Sequence, residues 1–134
     1  MAKKILIIED EPDILTYLTA VLEDHGFQAF TVSDQMGVVE AVLAGDPDLI
    51  LLDVMMPRRS GVSIYKELRS LPQLSAIPVA IISGFSPQGD AMASGFRRML
   101  SDKNIQPPSA FVDKPVDRGA LIAMARRLTG QVKD

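Results

Sequence analysis

The feature that most constrains the fold is a run of four aliphatic residues, Leu49–Leu52, that ends on the carboxylate Asp53. Such a continuous apolar run is typical of a strand buried on both faces of a parallel sheet. The turn residues Pro57 and Gly61 follow soon after and end the strand pattern. Because open α/β sheets place their ligands at the carboxyl ends of strands, Asp53 is predicted to lie at a functional site.

The rest of the chain alternates strand patterns with helical patterns. Strands are predicted at residues 5–8, 27–32, 49–52, 78–82 and 110–112. Apolar residues recur at helical spacing in five segments, which contain Leu18, Val42, Leu68, Phe96 and Leu121. This alternation predicts an α/β fold, a doubly wound five-stranded parallel sheet with helices on both faces. No repeat or linker interrupts the pattern, so a single domain is predicted over residues 1–134, with a core at about 3–128.

Composition excludes several classes of protein. Hydrophobic residues at 47% and charged residues at 23% are ordinary for a globular protein. A net charge of −3 argues against direct binding of nucleic acid. There is no cysteine and a single histidine, His25, so disulfides, thiolate catalysis and Cys-based zinc are excluded. The apolar runs are too short to span a bilayer and no secretory pattern precedes the first strand, so a cytoplasmic protein without membrane contact is expected.

Polar side chains follow four of the predicted strands, namely Glu9, Asp10, Asp53, Ser83 and Lys114. If the third strand lies beside the first, Asp10 and Asp53 converge and Glu9 lies close by. Clustered carboxylates repel one another unless a cation neutralises them. Hard oxygen ligands without histidine or cysteine select Mg²⁺, which also keeps waters and binds phosphate oxygens. The cluster therefore predicts a magnesium site.

The two remaining polar residues suit a phosphoryl group. Lys114 supplies a point charge for a phosphoryl oxygen, and Ser83 supplies a neutral hydrogen-bond donor. Phosphoryl transfer needs in-line attack and neutralised equatorial oxygens, so a carboxylate beside Mg²⁺ and lysine is suited to accept the group. Each residue alone has a simpler explanation as an acidic turn, a helix cap or a solvated loop residue. Their occurrence at the ends of four strands favours a phosphoacceptor site.

Four motifs resemble the receiver domains of two-component response regulators, the CheY-like family. They are residues 5–12 (ILIIEDEP), 51–57 (LLDVMMP) with Gly61, 81–84 (IISG) and 111–115 (FVDKP). The resemblance runs from Lys3 to about Leu128 and implies a flavodoxin-like sheet with strand order 2-1-3-4-5.

The resemblance also implies roles for the acidic residues. Asp53 corresponds to the phosphoacceptor, and Asp10 corresponds to the direct Mg²⁺ ligand. Glu9 corresponds to the second acidic position, which usually acts on the metal through water. The backbone carbonyl of Met55 corresponds to the remaining protein ligand. Mg²⁺ is thus the implied cofactor, and a histidine kinase or phosphotransfer protein is the implied partner.

The same resemblance implies a switch. Ser83 corresponds to the switch hydroxyl, Phe111 to the rotating aromatic residue and Lys114 to the phosphate-pairing lysine, and the bond Lys114–Pro115 is expected to be cis. The segment between Ser83 and Lys114 is longer than in most receivers, so the resemblance does not predict the signalling surface there. A homodimer is one assembly that stays open.

Competing interpretations fit less well. An aspartate-nucleophile phosphohydrolase needs a second Asp two residues after the nucleophile, and here that residue is Met55. A flavodoxin needs a hydroxyl-rich phosphate loop where this chain has the acidic residues 9–11, and no Gly-x-Gly-x-x-Gly motif follows a strand. The prediction is therefore a phosphoacceptor switch and not an enzyme. Two alternatives remain: a receiver fold used as a phosphorylation-independent interaction module, and a receiver excised from a larger regulator.

Overall fold

The computed structural model describes residues 2–32, 37–54, 61–83, 105–106 and 108–130, apart from the side chains of residues 62 and 83. Over these ranges the chain forms five strands: β1 Lys4–Ile8, β2 Gln28–Thr31, β3 Leu49–Asp53, β4 Val79–Ser83 and β5 Ala110–Asp113. It also forms four helices: α1 Pro12–Asp24, α2 Val38–Gly45, α3 Gly61–Ser70 and α4 Arg118–Thr129. The predicted helix around Phe96 lies outside the described residues.

The five strands form one sheet in the order β2-β1-β3-β4-β5. Every neighbouring pair is parallel. The α/β architecture predicted from the alternating pattern and the strand order implied by the resemblance are both confirmed. β1 and β3 occupy the interior of the sheet, which explains their continuous aliphatic runs, whereas β2 and β5 form its edges.

Successive residues of the inner strands point to opposite faces of the sheet, so each run contributes to two cores. Ile5, Ile7, Leu49 and Leu51 pack in one buried cluster with residues of α1 and α4. The alternate residues, Leu6, Ile8, Ile50 and Leu52, pack in a second cluster with residues of α2 and α3. All eight side chains are at most 1% exposed. Helices therefore cover both faces, as predicted.

The residues at the ends of α1 and α4 explain where these helices begin or end. Pro12 occupies the first turn of α1, where a missing N–H is tolerated. After this helix, Gly26 adopts φ +88°, a left-handed conformation that suits glycine, and the chain turns into β2. Asp117 caps α4, because its Oδ2 accepts the backbone N–H of Ala120 at 2.8 Å. This cap fixes the loop that connects β5 to α4.

One predicted strand is longer than the observed one. Residues 27–32 were expected as the second strand, and β2 covers Gln28–Thr31. Phe27 is only 3% exposed, but its backbone N–H donates to the carbonyl of Leu22 at the end of α1 rather than to β1. Its side chain belongs to the core while its backbone belongs to the turn. In the described part of the chain, no helix is long and apolar enough to cross a membrane.

Candidate functional site

The register of the inner strands brings two acidic side chains together. Ile8 at the end of β1 lies opposite Leu52, so the residues that follow, Glu9 and Asp53, are neighbours. Glu9 and Asp53 are each 2% exposed, whereas Asp10 is exposed. The carboxylates of all three residues offer oxygens that lie within 4.8 Å of one another. The predicted convergence of the acidic residues is therefore present in the fold.

The ends of β4 and β5 bring a cation to this cluster. Ser83 at the end of β4 lies opposite Asp113, so Lys114 follows at the same edge of the sheet. Its Nζ lies 3.1 Å from Glu9 Oε2 and 3.3 Å from Asp53 Oδ2. The ammonium donates a hydrogen bond to the Asp53 oxygen and bridges the two carboxylates. One charge of the acidic cluster is thus offset within the protein.

The turn after β1 orients the carboxylate of Glu9. Oε1 accepts the backbone N–H of Asp10 at 3.1 Å and that of Glu11 at 3.2 Å. These two bonds hold one oxygen against the turn and leave Oε2 directed at Lys114. Oε2 is buried and has no aligned hydrogen-bond donor among the described residues, although the ammonium lies close to it. An ion pair alone leaves acceptor capacity on this oxygen.

The environment shifts the pKa of both partners. Burial, reinforced by the neighbouring carboxylate of Asp53, raises the pKa of Glu9 from 4.5 to about 7. Burial alone would lower the pKa of Lys114, but its ion pairs with Glu9 and Asp53 outweigh that effect and raise it. The lysine is therefore charged at neutral pH, while burial and the neighbouring Asp53 oppose the charged form of Glu9.

The residues present fit a small divalent cation. Two buried carboxylates and one exposed carboxylate offer hard oxygens at close range, and the exposed Asp10 leaves a side open to water. The buried Glu9 Oε2 has unused acceptor capacity, which a cation would employ. The backbone carbonyl of Met55, the further ligand implied by the resemblance, lies outside the described residues. The donor set of oxygens without nitrogen or sulfur favours Mg²⁺.

The switch residues are described in part. Phe111 is partly buried and packs against the apolar cluster between the sheet and helices α2 and α3. The fourth strand was predicted at residues 78–82 with Ser83 following it, and the observed β4 covers Val79–Ser83, so Ser83 is its last residue. The side chain of Ser83 lies outside the described residues. The peptide bond Lys114–Pro115 is cis, which confirms the expectation from the resemblance.

Sequence reasoning missed two features around Lys114. It gave Glu9 only to the metal, whereas Glu9 is also an ion-pair partner of the lysine. It also gave no role to Tyr17, whose hydroxyl donates to the carbonyl of Val116 at 3.1 Å. No local sequence pattern predicts either contact, because the partners lie about a hundred residues apart in the chain. A cavity of about 470 Å³ opens beside the lysine, lined by Asp13, Ile14, Tyr17, Lys114, Pro115 and Val116.

Sequence comparison finds relatives over most of the chain. The family model described as "Response regulator receiver domain" matches residues 5–126. Protein Rrf1 of Nitratidesulfovibrio vulgaris is 30% identical over 129 residues, which cover 95% of this chain and 83% of Rrf1. Response regulator PleD of Caulobacter vibrioides is 31% identical over 129 residues, which cover 96% of this chain but only 26% of PleD. The chain thus spans most of one relative and about a quarter of the other.

Solved structures share the fold. The signal receiver domain of a signal transduction histidine kinase from Syntrophus aciditrophicus superposes with a TM-score of 0.79 at 31% identity. That match covers 98% of this chain and 93% of the other. Chemotaxis protein CheY4 of Vibrio cholerae superposes with a TM-score of 0.76 at 20% identity, covering 96% of this chain and 99% of that one. At that lower identity the likeness concerns the fold alone.

Proposed function

The chain belongs to the response regulator receiver domain family of two-component signal transduction, and we propose that it is a Mg²⁺-dependent phosphoacceptor switch. Asp53 accepts a phosphoryl group from the phosphohistidine of a histidine kinase or phosphotransfer protein. The observation that carries the proposal is the position of the Lys114 ammonium, 3.3 Å from Asp53 Oδ2 and 3.1 Å from Glu9 Oε2. A buried carboxylate beside a fixed cation is suited to hold a phosphoryl group.

The transfer balances without any further reactant. An oxygen of Asp53 attacks phosphorus in line with the phosphorus–nitrogen bond of the donor. That bond breaks, its electron pair remains on the imidazole nitrogen, and an acyl phosphate forms on Asp53. Glu9, Asp10 and Asp53 are the residues that would hold Mg²⁺, which neutralises the charge on the phosphoryl oxygens. Without that neutralisation, the acidic cluster would repel the anionic donor.

Lys114 has a different role before and after transfer. Before transfer its ammonium pairs with Asp53 and Glu9. Afterwards it pairs with a phosphoryl oxygen, because the phosphoryl group carries more charge than the carboxylate it replaces. The hydroxyl of Ser83 then binds a second phosphoryl oxygen, and the ring of Phe111 moves into the space that the hydroxyl leaves. This exchange alters a surface that a partner protein recognises, so the chain acts as a switch rather than as an enzyme.

The test is intact-protein mass spectrometry after incubation with acetyl phosphate and Mg²⁺. The wild-type chain gains one phosphoryl mass, and Asp53→Asn gains none because the amide is not a nucleophile for phosphorus. Asp10→Asn binds Mg²⁺ more weakly, which titration of the metal measures. The matched control is Asp24→Asn, which removes an exposed carboxylate far from the cluster and leaves labelling and metal binding unchanged.

Labelling of Asp53→Asn at the wild-type level would overturn the assignment of the acceptor. A wild-type chain that stays unlabelled by both acetyl phosphate and a phosphohistidine donor would overturn the phosphoacceptor function. The receiver fold would then serve as a phosphorylation-independent interaction module.

A further inference from the structure

β5 connects the site to the rest of the molecule at an edge of the sheet. It contains Phe111 and leads directly into Lys114. In the described sheet it pairs with β4 alone, since it is the last strand in the order. An edge strand has ladder hydrogen bonds on one side, so contacts outside the sheet must help to fix its position.

One such contact precedes the strand. Tyr65 in α3 is fully buried, and its hydroxyl donates to the carbonyl of Gln106, four residues before β5, at 2.5 Å. The same hydroxyl accepts Nε–H of Arg69 at 3.0 Å, and the guanidinium lies over the tyrosine ring at 5.0 Å. Nη1 of this arginine donates to the carbonyls of Ser75 and Ile77 at 2.9 and 2.8 Å. The hydroxyl that holds Gln106 is therefore itself held firmly.

A second contact follows the strand. The hydroxyl of Tyr17 in α1 donates to the carbonyl of Val116 at 3.1 Å, two residues beyond Lys114. Tyr17 is 42% exposed, so water competes for this bond more than for the bond of Tyr65. The chain contains two tyrosines, and the carbonyls that accept their hydroxyls, those of Gln106 and Val116, lie on either side of β5 along the chain.

The helix that carries Tyr65 is also fixed relative to the acceptor. A Cβ added to Gly61, the first residue of α3, would lie 2.5 Å from the Cα of Val54, the residue after Asp53. The start of α3 therefore packs directly against the backbone at the acceptor, with no free space between them. Through Tyr65, the same helix holds the segment that leads to Lys114.

We propose that Tyr65 and Tyr17 are positioning residues that fix the two ends of β5 and so place the ammonium of Lys114 against Asp53. The inference rests on the proposed function of Asp53 as phosphoacceptor. A phosphoryl group is captured efficiently only when its counter-charge is already in place, because small misplacements of reacting groups are costly. Loss of either hydroxyl frees one end of the edge strand and displaces Lys114 and Phe111 together.

The test uses the variants Tyr65→Phe and Tyr17→Phe and their combination, which keep the rings and remove only the hydroxyls. Thr129→Val is the matched control, since the Thr129 hydroxyl also donates to a backbone carbonyl, that of Ala125 at 2.8 Å, but within α4 itself and not to a segment that flanks β5. The first measurement is the rate of labelling by acetyl phosphate with Mg²⁺. The second is the set of NMR chemical shifts of the ε-methylene group of Lys114, assigned with the variant Lys114→Arg, and of the Phe111 ring.

Tyr65→Phe is expected to slow labelling about 5-fold, the size of effect that loss of one neutral hydrogen bond produces. Tyr17→Phe slows labelling less, because its hydroxyl is partly hydrated. Both variants shift the signals of Lys114 and Phe111 before any phosphate is added, and the double variant shifts them furthest. Thr129→Val changes neither the rate nor those signals.

The inference is overturned if the double variant melts at a lower temperature while its Lys114 signals and labelling rate match those of Thr129→Val. The hydroxyls would then stabilise the fold without positioning the site. A wild-type chain that is never labelled refutes the proposed function instead, and the Lys114 and Phe111 signals still decide whether the tyrosines position β5.

Discussion

Two clusters of polar groups in this fold differ in how fully their atoms are paired by hydrogen bonds. The acidic cluster places Glu9 and Asp53, each 2% exposed, side by side with one lysine between them. The clamp, defined as Tyr65 and Arg69 with the carbonyls they bind, joins α3 to neighbouring segments through partly buried hydrogen bonds. In the clamp, the Tyr65 hydroxyl and the Nε and Nη1 groups of Arg69 each donate to an oxygen. In the acidic cluster, by contrast, Glu9 Oε2 has no aligned donor among the described residues.

The difference separates polar groups that hold the fold from polar groups that wait for a ligand. A fully satisfied buried network rigidifies its surroundings, whereas an unsatisfied one lowers stability. The pKa of Glu9 is raised to about 7 by burial first and by the neighbouring carboxylate of Asp53 second. Such shifts are concentrated at functional sites, because a bound cation or substrate reverses them. Removing groups from the clamp should therefore destabilise the protein, and removing charge from the acidic cluster should stabilise it.

The largest effect is expected for Arg69→Ala. The guanidinium donates to the Tyr65 hydroxyl and to two backbone carbonyls, and it covers the tyrosine ring. Its loss leaves these oxygens poorly paired, so the free energy of unfolding should fall by about 3 kcal/mol. Urea unfolding at pH 7 measures the change. Arg127→Ala, which removes an exposed arginine from α4, is the control and should change stability by less than about 0.5 kcal/mol.

A smaller loss of stability is expected at the contact between the start of α3 and the backbone after Asp53. Gly61→Ala places a methyl group 2.5 Å from the Cα of Val54, so α3 or the backbone after Asp53 must move. Overpacking of this kind should lower the free energy of unfolding by about 2 kcal/mol. The control is Gly119→Ala in α4, where the added Cβ would lie 3.4 Å from Asp117 Oδ2. That variant gains helix propensity and should be neutral or up to about 1 kcal/mol more stable.

Equal unfolding midpoints for Gly61→Ala and the wild-type protein would show that α3 shifts freely against β3. The clamp and the acidic cluster would then be independent of each other.

Removal of a charge from the acidic cluster should raise the free energy of unfolding, the opposite of the effect expected for the clamp. In metal-free buffer containing EDTA at pH 8, Glu9→Gln is expected to raise the free energy of unfolding by about 1–2 kcal/mol, because it removes the charge that burial and Asp53 oppose. Lys114 opposes the rise in the pKa of Glu9, so its ion pair already limits the gain. Chemical denaturation at pH 8 and pH 4.5 measures the change.

The pH dependence follows from the sign of the shift. The pKa of Glu9 rises from 4.5 to about 7 on folding, so between these values the folded state binds a proton that the unfolded state has released. The stability that this proton contributes is complete below pH 4.5 and is lost as the pH rises through 7. The advantage of Glu9→Gln should therefore shrink on acidification. A gain that is the same at both pH values would show that charge repulsion is not its cause.

Addition of Mg²⁺ should stabilise the wild-type protein and its variants by different amounts. A ligand that binds only the folded state raises its stability, so Mg²⁺ at about ten times its dissociation constant should stabilise the wild-type protein by about 1.4 kcal/mol at pH 8. Glu9→Gln should gain less, because one carboxylate of the site is missing. Arg69→Ala should gain as much as the wild-type protein, since the clamp contributes no metal ligand. Thermal unfolding with Mg²⁺ and with Ca²⁺ measures these differences.

Much of the architecture was predictable from local patterns. Continuous aliphatic runs marked the inner strands, and apolar residues at helical spacing marked the four described helices. These signals are local, because the period of exposure is a property of each element alone. The strand order was different. It came from the resemblance carried by the four motifs, since alternating strands and helices are compatible with several orders in a parallel sheet.

For the candidate site, the sequence by itself determined which residues reach the carboxyl edge of the sheet. Glu9, Asp10, Asp53 and Lys114 follow strand patterns, and parallel strands end together. Which atoms pair there was decided only by the tertiary structure. The contact between Lys114 Nζ and Glu9 Oε2 depends on the register of four strands and on the turn that holds the other carboxylate oxygen.

The clamp and the second tyrosine were decided by the tertiary structure alone. Tyr65 has the helical spacing of a core residue, and its ring is indeed buried in the core. Nothing in that spacing indicates that its hydroxyl reaches Gln106, which is 41 residues away in the chain. The reason is physical. Hydrophobic periodicity is a property of each element alone, whereas a hydrogen bond requires two atoms of different elements to be placed to within a few tenths of an ångström, which only the packed fold achieves.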